Sequence, residues 1–150
     1  KNKFSCGEDS LDGYIKRQAN QDIKRNISRV FIASTQNQPE QVLGFYSLSS
    51  LSINCSYLPL ETAKKLPRHA IPCALIGRLA VDKKAHGTGL GKLLLIDAFK
   101  RTMDVSQSIA IYALIVDCLN DKAKVFYKKF GFTELSSDNN RLFLQLKKLA

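Results

Sequence analysis

The chain has 150 residues and is 45% hydrophobic, which suffices for one domain with an ordinary core and is too short for two. Lys and Arg number 23 against 13 Asp and Glu, so the formal charge of +10 favours a polyanionic partner, such as RNA, DNA or a phosphorylated cofactor, over a cationic one. We see no apolar run of membrane-spanning length and no signal peptide. We therefore expect a cytoplasmic protein without a membrane partner.

The first half of the chain changes from a helical to a strand pattern. Apolar residues at helical spacing predict a first helix that is capped by Asp9 or Ser10. Segments 29–34 and 41–51 are rich in β-branched and aromatic residues and predict a hairpin. A polar stretch punctuated by proline, 52–72, then reads as a surface excursion with a short helix near 60–66.

The second half of the chain alternates between strands and helices. Segment 73–81 is almost continuously apolar, as in a central strand that is buried on both faces. A long helix at 89–103, a buried strand at 109–116, a helix at 121–129 that ends at Gly131, and a terminal strand at 141–147 follow. The predicted fold class is α/β (α+β), a mixed sheet with helices on its faces.

The cysteines and histidines give no sign of a metal site. The four cysteines lack C-x-x-C spacing and one lies inside an apolar run, so we predict free thiols in the core. With only two histidines besides, no set of zinc ligands is complete, and we expect no metal. The residues concerned are Cys6, Cys55, Cys73, Cys118, His69 and His86.

A glycine-rich turn between a strand and a helix is the strongest local signal. Glycines alternate in the segment 84–92, KAHGTGLGK, where they let the backbone approach a ligand and leave N–H groups pointing outward at a helix N-terminus. A pyrophosphate suits that environment, although a tight turn without a ligand gives the same pattern. A P-loop needs Gly at 86 and Ser or Thr at 93, and a dinucleotide fingerprint needs G-x-G-x-x-G, so both are disfavoured.

This turn resembles the acetyl-CoA loop of the GNAT N-acetyltransferase superfamily, Q/R-x-x-G-x-G/A, with His86 where Gln or Arg is usual. The resemblance implies a GNAT fold whose mostly antiparallel sheet is splayed to admit acetyl-CoA. It implies that the backbone of the preceding strand pairs with the pantetheine arm. The residues implied to bind the coenzyme here are Leu79, Ala80, Val81, His86, Gly87, Thr88, Gly89, Leu90, Gly91 and Lys92.

A second motif follows about thirty residues later. Segment 120–132, NDKAKVFYKKFGF, resembles the superfamily pattern N-x-x-A-x-x-F-Y-x-x-x-G-F. The resemblance implies that Tyr127 donates a proton to the thiolate of the coenzyme, and that Asn120, Ala123 and Phe126 contact the coenzyme. The alternatives are that Asn120 caps a helix and that the aromatic residues form a core stripe, which is our preferred reading of Phe126 and Phe130.

A closer resemblance covers nearly the whole chain. The segments FxCG at 4–7, GFYxL at 44–48, GRLAVD at 77–82 and LxxDA at 94–98 resemble the TacT and AtaT group of bacterial toxins. That group acetylates the α-amine of aminoacyl-tRNA, and a ribbon-helix-helix antitoxin holds it inactive. The resemblance implies a homodimer, and it places most of the group's N-terminal edge strand upstream of this sequence.

The basic residues fit an RNA substrate. The central strand 73–81 has no acid and carries a cation that would repel lysine and suit RNA phosphate, or else close a structural network. Other basic clusters are either RNA contacts or solvated helix faces. The candidate RNA-binding residues are Arg78, Lys16, Lys24 and Arg25. Two other functions stay open: acetylation of a small amine or protein N-terminus, and a catalytically inactive RNA-binding or coenzyme-sensing module.

Overall fold

The computed structural model describes residues 3–67, 70–135 and 138–146, with the side chains of 138 and 139 left aside. Six strands form one sheet in the order β1-β2-β3-β4-β6-β5. The pairs β1 with β2, β4 with β6, and β5 with β6 are antiparallel. The strands are β1 Arg29–Ala33, β2 Gly44–Ile53, β3 Ile71–Val81, β4 Ala113–Asp117, β5 Thr133–Leu135 and β6 Asp138–Gln145.

Helices are interspersed with the strands along the chain, which confirms the mixed α/β class. The first helical segment is interrupted by a π-helical turn at Tyr14–Gln18, and the longest helix, α4, has 17 residues. The α-helices are α1 Asp9–Gly13, α2 Ala19–Lys24, α3 Leu60–Ala63, α4 Leu90–Ser106 and α5 Asp121–Lys128. None of the helices in the described residues has the length and hydropathy that crossing a bilayer requires.

The predicted hairpin at 29–51 is confirmed, because β1 and β2 pair in register from Arg29 opposite Leu48 to Ala33 opposite Gly44. The prediction that 73–81 is central is also confirmed, since β3 has two strands on one side and three on the other. Its burial, however, is not complete on both faces. The first half is mostly buried, whereas Gly77, Arg78 and Leu79 are only half-buried.

Two predicted boundaries are wrong. The first helix begins with Glu8 as its N-cap residue and without a side-chain cap, so neither Asp9 nor Ser10 caps it. The strand predicted to start at 109 begins only at Ala113, because Ile109 ends the preceding helical turn, where its N–H donates to Val105. Ile109 is 66% exposed, so an apolar residue there does not mark a buried strand. Part of the predicted strand 141–147 lies outside the described residues.

The chain divides into two compact units. The first comprises the chain up to Ser49 together with Ile76–Arg101, and the second comprises Ser50–Leu75 together with the chain from Thr102 onward. The first unit has a core of seven buried residues, Phe4, Tyr14, Ile15, Ala19, Val42, Phe45 and Ala80. The second has a core of nine, Ile53, Cys55, Leu58, Ile71, Cys73, Ala113, Ile115, Leu135 and Phe143.

The cysteines are free thiols, as predicted. Three of them, Cys55, Cys73 and Cys118, are buried, and Cys6 is half-buried. Burial raises the pKa of the Cys73 thiol to about 11, so this side chain is a neutral, apolar component of the second core.

Candidate active site

The glycine-rich turn begins at a buried carboxylate that fixes its first residues. Asp82 is 5% exposed and follows β3 directly. Its Oδ1 accepts a hydrogen bond from the Lys84 N–H at 2.9 Å, and its Oδ2 accepts one from the Ser5 N–H at 3.0 Å. Its own N–H donates to the Leu43 carbonyl at 2.7 Å. Asp82 therefore ties the start of the turn to two other segments of the first unit.

The charge of Asp82 is favoured despite its burial. Burial raises the pKa of this carboxyl, but the hydrogen bonds from the Lys84 and Ser5 backbone and the nearby positive charges of Lys84 and His86 outweigh that effect. The net result is a pKa below its usual range. The anchor is thus an ionised carboxylate at neutral pH.

Two side chains of the turn fold back onto its own backbone. The ring of His86 lies with Nε2 at 2.8 Å from the Val81 carbonyl at the end of β3. Since a carbonyl only accepts hydrogen bonds, Nε2 carries the proton in this arrangement. The Thr88 hydroxyl donates to the Ala85 carbonyl. Both residues are exposed, yet their side chains bond to the backbone of the turn and shape it, which gives His86 a structural role that the sequence left open.

Gly87 and Gly89 provide the open backbone that the sequence predicted. Their φ angles are +79° and +84°, a region that residues with a Cβ rarely adopt. A Cβ added at either position would meet no atom of the described structure within 4 Å. The backbone of the turn therefore faces free space at both glycines, and a ligand can approach it closely.

The third glycine belongs to the helix, in agreement with the helix predicted from residue 89. Gly91 lies inside α4, which begins at Leu90, and it is not among the described glycines with positive φ. The helical bond from the Leu93 N–H to the Gly89 carbonyl, 3.1 Å, closes the first turn. The N–H groups of Leu90, Gly91 and Lys92 precede that bond and lie at the positive end of the helix dipole. They form an anion-binding end for the turn.

A further glycine positions α4. A Cβ at Gly44, the first residue of β2, would lie 2.9 Å from Leu94 Cδ1, 3.1 Å from the Ala80 carbonyl and 3.2 Å from Leu90 Cδ2. Only glycine leaves room for the first turn of α4 to approach β2 and the end of β3 this closely. Ala80 itself is 4% exposed, and Leu79 and Val81 on either side of it are half-buried.

The second motif forms helix α5 in the second unit. The Asn120 side chain accepts a hydrogen bond from the Ala123 N–H at 2.9 Å, so Asn120 is an N-cap. Gly131, with φ of +93°, follows the end of the helix as a left-handed terminator. Both ends of α5 are therefore formed by residues of the motif itself.

Tyr127 is the buried aromatic of the motif. It is 4% exposed, and its ring packs against Phe126 at 5.2 Å and Phe132 at 5.6 Å between centroids, both edge to face. Phe126 and Phe130 pack edge to face at 5.2 Å between ring centroids and are half-buried, so the aromatic stripe that we prefer for them is present but only partly buried. The pKa of the Tyr127 phenol is raised mainly by burial and to a smaller extent by the nearby Cys118 and Asp117. The phenol is therefore protonated at neutral pH.

The four candidate RNA-binding residues lie in the first unit. Arg78 is on β3, and its guanidinium carbon lies 3.8 Å from the centroid of the Tyr14 ring. Lys16 is half-buried in the π-helical turn that Tyr14 begins. Lys24 ends α2 and Arg25 follows it, both exposed. The contact of Arg78 with Tyr14 was not predicted, because nothing in the local sequence around either residue signals it.

Known proteins identify the class to which this site belongs. The family described as the acetyltransferase (GNAT) domain matches residues 26–134, which include the glycine-rich turn and helix α5. The chain therefore belongs to the GNAT acetyltransferases. Within the described residues, no group of three or more histidine, cysteine or acidic side chains could hold a metal ion.

Similar proteins narrow the comparison to toxins. The chain is 37% identical to a tRNA-acetylating toxin of Mycobacterium tuberculosis, over 96% of this chain and 84% of that protein. It is 32% identical to a probable toxin TacT of Sinorhizobium fredii, over 95% and 83%. A Tyr→Phe mutant of KacT superposes with a TM-score of 0.93 at 32% identity, over 98% and 88% of the two chains. AtaT in complex with acetyl-methionyl-tRNAfMet superposes with a TM-score of 0.90 at 32% identity, over 97% and 87%.

Proposed function

We propose that this chain is a single-domain acetyltransferase over residues 1–150 that uses acetyl-CoA to acetylate the α-amine of aminoacyl-tRNA and thereby blocks translation. The observation that carries the proposal is the 37% identity, over 96% of the chain, to a tRNA-acetylating toxin. AtaT, which matches 97% of this chain, has been solved with acetyl-methionyl-tRNAfMet, the product of such a reaction.

The glycine-rich turn fits the diphosphate of acetyl-CoA. Gly87 and Gly89 leave space where any other residue would place a Cβ, and the N–H groups at the start of α4 favour an anion. Acetyl-CoA supplies the acyl group as a thioester. The residues proposed to hold it are the backbone of Leu79, Ala80 and Val81 for the pantetheine arm, the turn His86, Gly87, Thr88, Gly89, Leu90, Gly91 and Lys92 for the phosphates, and Asn120, Ala123 and Phe126 for further contacts.

Tyr127 is proposed as the general acid. A departing thiolate, whose conjugate thiol has a pKa of about 8.5, gains from a positioned proton donor. Burial raises the pKa of the Tyr127 phenol, so its hydroxyl keeps a proton that it can give to the sulfur. After the transfer, water returns the proton to the phenolate.

The acceptor amine needs little help to lose its proton. An α-amino group has a pKa of about 8, against about 10.4 for lysine, and an ester lowers it further. Strand β3 contains no carboxylate that could serve as a base for a lysine, and it carries Arg78 instead. The absence of an acid on this strand therefore supports an aminoacyl ester over a lysine side chain as acceptor.

Lys16, Lys24, Arg25 and Arg78 are proposed to bind the RNA. They lie on β3 and on the helical segment from Tyr14 to Arg25, and the net charge of +10 adds a general attraction for a polyanion. A homodimer would present two such basic regions to one tRNA.

The proposed partners follow from the relatives. AtaT has been solved with the C-terminus of its antitoxin AtaR, so we propose that an antitoxin, of the ribbon-helix-helix type, inhibits this chain as well. Charged tRNA and acetyl-CoA are both cytoplasmic substrates, which supports a cytoplasmic location.

The experiment is to mix the protein with labelled acetyl-CoA, a pool of charged tRNA and a lysine-rich protein, and to measure where the label goes. We expect label in the RNA fraction, and alkaline deacylation should release that label from the RNA. The rate of RNA acetylation should fall steeply as the salt concentration rises. Uncharged tRNA is the control and should take up none. Label on the lysine-rich protein and none on RNA would contradict the proposal, and a rate independent of salt would contradict the phosphate contacts.

A further inference from the structure

A cation on the central strand is held in a defined orientation. The Arg78 backbone N–H donates to Ser47 Oγ at 3.0 Å, and its guanidinium carbon lies 3.8 Å from the centre of the Tyr14 ring. Stacking on an aromatic face fixes the plane of the guanidinium and leaves its N–H edges free to donate. The residue is half-buried, and the Tyr14 ring covers one face of its guanidinium.

The aromatic ring under Arg78 is itself fixed. Tyr14 is 1% exposed, its ring stacks on Phe45 at 6.2 Å between centroids, and its hydroxyl donates to Asp22 Oδ2 at 3.0 Å. Tyr14 is also the first residue of the π-helical turn Tyr14–Gln18. Turns of this kind are rare and occur disproportionately at functional sites. Tyr14 is therefore a rigid support, and the distortion of the helix places it there.

Among the described residues, Arg78 has an aromatic partner but no counter-ion. In the described part of the chain, no carboxylate lies within ion-pair distance of its guanidinium. Arg29 and Arg101, in contrast, both donate to side-chain oxygens, of Asn26 and Asp97 respectively. A half-buried cation without a counter-ion is costly, and its planar fork of donors matches the two oxygens of a phosphate.

The proposed reaction brings phosphate groups from two sources, the coenzyme and the RNA. The diphosphate of the coenzyme is assigned to the turn that begins beyond Val81. Arg78 precedes Val81 by three residues on the same strand, which is about 10 Å in the direction away from the turn. The site assigned to the coenzyme diphosphate therefore lies beyond the end of β3, away from Arg78. The phosphodiester of the acceptor RNA is the remaining candidate.

We propose that Arg78, stacked on Tyr14, binds the phosphodiester that joins the aminoacylated terminal nucleotide to the rest of the RNA. This inference rests on the proposed function and adds a specificity determinant to it. Contact at that phosphate, one nucleotide from the reacting amine, makes the enzyme distinguish an aminoacylated RNA end from a free amine that lacks phosphate.

The test uses two acceptors that differ by one phosphodiester. The first is a 3′-aminoacylamino-3′-deoxyadenosine, a stable amide with a free α-amine and no phosphate. The second is the same nucleoside with a cytidine attached through a 5′ phosphodiester. The aminoacyl group is the one that the wild-type enzyme prefers on tRNA. For each acceptor kcat/KM is measured, and the ratio between the two acceptors is compared for wild type, R78Q and R29Q.

We expect the wild type to prefer the phosphate-bearing acceptor by roughly tenfold or more, as for a charge-assisted hydrogen bond. In R78Q this preference should collapse towards one. The exposed Arg29 lies on β1 and bonds to Asn26, so R29Q removes the same charge elsewhere and should keep the wild-type preference. A preference in R78Q equal to that of the wild type, or no preference in the wild type, would overturn the inference.

Two further measurements separate the alternatives. If Arg78 instead binds the coenzyme, R78Q will raise the KM for acetyl-CoA equally with both acceptors, and the inference is then wrong. Tyr14→Phe keeps the ring and should keep the preference, whereas Tyr14→Leu removes the stacking face and should reduce it, with folding checked by circular dichroism. A wild type that acetylates no charged tRNA refutes the proposed function itself, whereas active RNA acetylation with an unchanged R78Q ratio refutes only the role of Arg78.

Discussion

The glycine-rich turn and helix α5 lie in different units and are built by opposite means. In the turn, the side chains of Asp82, His86 and Thr88 bond to backbone groups of their own unit, and the backbone N–H groups are left for the ligand. In α5 the backbone ends are satisfied by Asn120 and Gly131, and one side chain, Tyr127, is proposed to carry the chemistry. Binding by backbone tolerates a change of side chain, and chemistry by one hydroxyl does not. This contrast explains how His86 can replace the usual Gln or Arg.

The largest effect on activity is expected from removing the Tyr127 hydroxyl, which α5 carries. Tyr127→Phe keeps the ring between Phe126 and Phe132 but removes the proton donor, so kcat should fall by about 10²- to 10⁴-fold. The affinity for acetyl-CoA, measured by calorimetry, should stay within about twofold because the turn is untouched. A variant that retains most of its kcat would show that Tyr127 is only a core residue.

The same residue affects the expected pH dependence of kcat/KM. Because burial raises the pKa of the Tyr127 phenol, the hydroxyl stays protonated through the range in which the acceptor amine, with a pKa of about 8, loses its proton. In the wild type kcat/KM should therefore rise with pH and then level off, with no fall below about pH 10. A bell-shaped profile with an alkaline limb below that pH would contradict a neutral tyrosine acid.

The next effect is on stability and concerns Asp82, which anchors the turn. Asp82→Asn replaces an acceptor of two backbone N–H groups by an amide that accepts with one oxygen only, so unfolding free energy should fall by about 1–3 kcal/mol at pH 7. Since the pKa of Asp82 is lowered in the folded state, its contribution is present above the unfolded pKa of about 3.9 and is lost as pH falls through the folded value.

Urea unfolding of wild type and Asp82→Asn at pH 7 and near pH 3 checks this prediction. The difference between the two proteins should be largest at pH 7 and should shrink in acid. The exposed Asp104 on α4 is the matched control, and Asp104→Asn should change stability by less than about 0.5 kcal/mol. A constant difference at both pH values would mean that the charge of Asp82 is not the stabilising feature.

A backbone substitution compares two glycines of the turn. Gly89 has a φ of +84°, so Gly89→Ala imposes a strain of about 1–2 kcal/mol and should raise the KM for acetyl-CoA about tenfold with little change in kcat. Gly91 lies inside α4, where alanine is favoured over glycine, so Gly91→Ala should leave the KM nearly unchanged. Equal KM values for the two variants would refute the difference between the two positions.

The smallest effect is expected at His86. His86→Leu loses the hydrogen bond from Nε2 to the Val81 carbonyl, and the KM for acetyl-CoA should rise by about three- to tenfold, as for a bond of about 1 kcal/mol. His86→Gln keeps a donor of similar reach and should restore most of the affinity. If both variants behave alike, the bond to Val81 does not shape the turn.

Local patterns in the sequence predicted those parts of the site that depend on local geometry. Positive φ at Gly87 and Gly89 and the start of a helix follow from glycines next to a helical pattern, and the cap at Asn120 follows from its position before α5. The helix predicted from residue 89 also contains Gly91, and α4, which begins at Leu90, confirms this. The same reasoning failed for the start of β4, where an apolar but exposed Ile109 extended the run.

Contacts between distant segments could not be predicted. Arg78 and Tyr14 lie far apart in the sequence, and their stacking depends on how β3 packs beside the first helical segment. The π-helical turn at Tyr14 leaves no trace in the hydrophobic pattern, since it changes the hydrogen bonding without changing which residues are apolar. The bond from Ser5 to Asp82 is likewise visible only in the folded chain. Such long-range contacts require the three-dimensional structure.

The most direct test of the account is to identify the nitrogen that receives the acetyl group. Charged tRNA would be incubated with the enzyme and acetyl-CoA, digested with ribonuclease, and the released terminal aminoacyl-adenosine examined by tandem mass spectrometry. We expect acetyl on the α-nitrogen of the aminoacyl group, and far less of it in the same time when Tyr127→Phe replaces the wild type. Acetyl on a nucleobase, on a side-chain amine of the amino acid, or on no RNA fragment at all would contradict it.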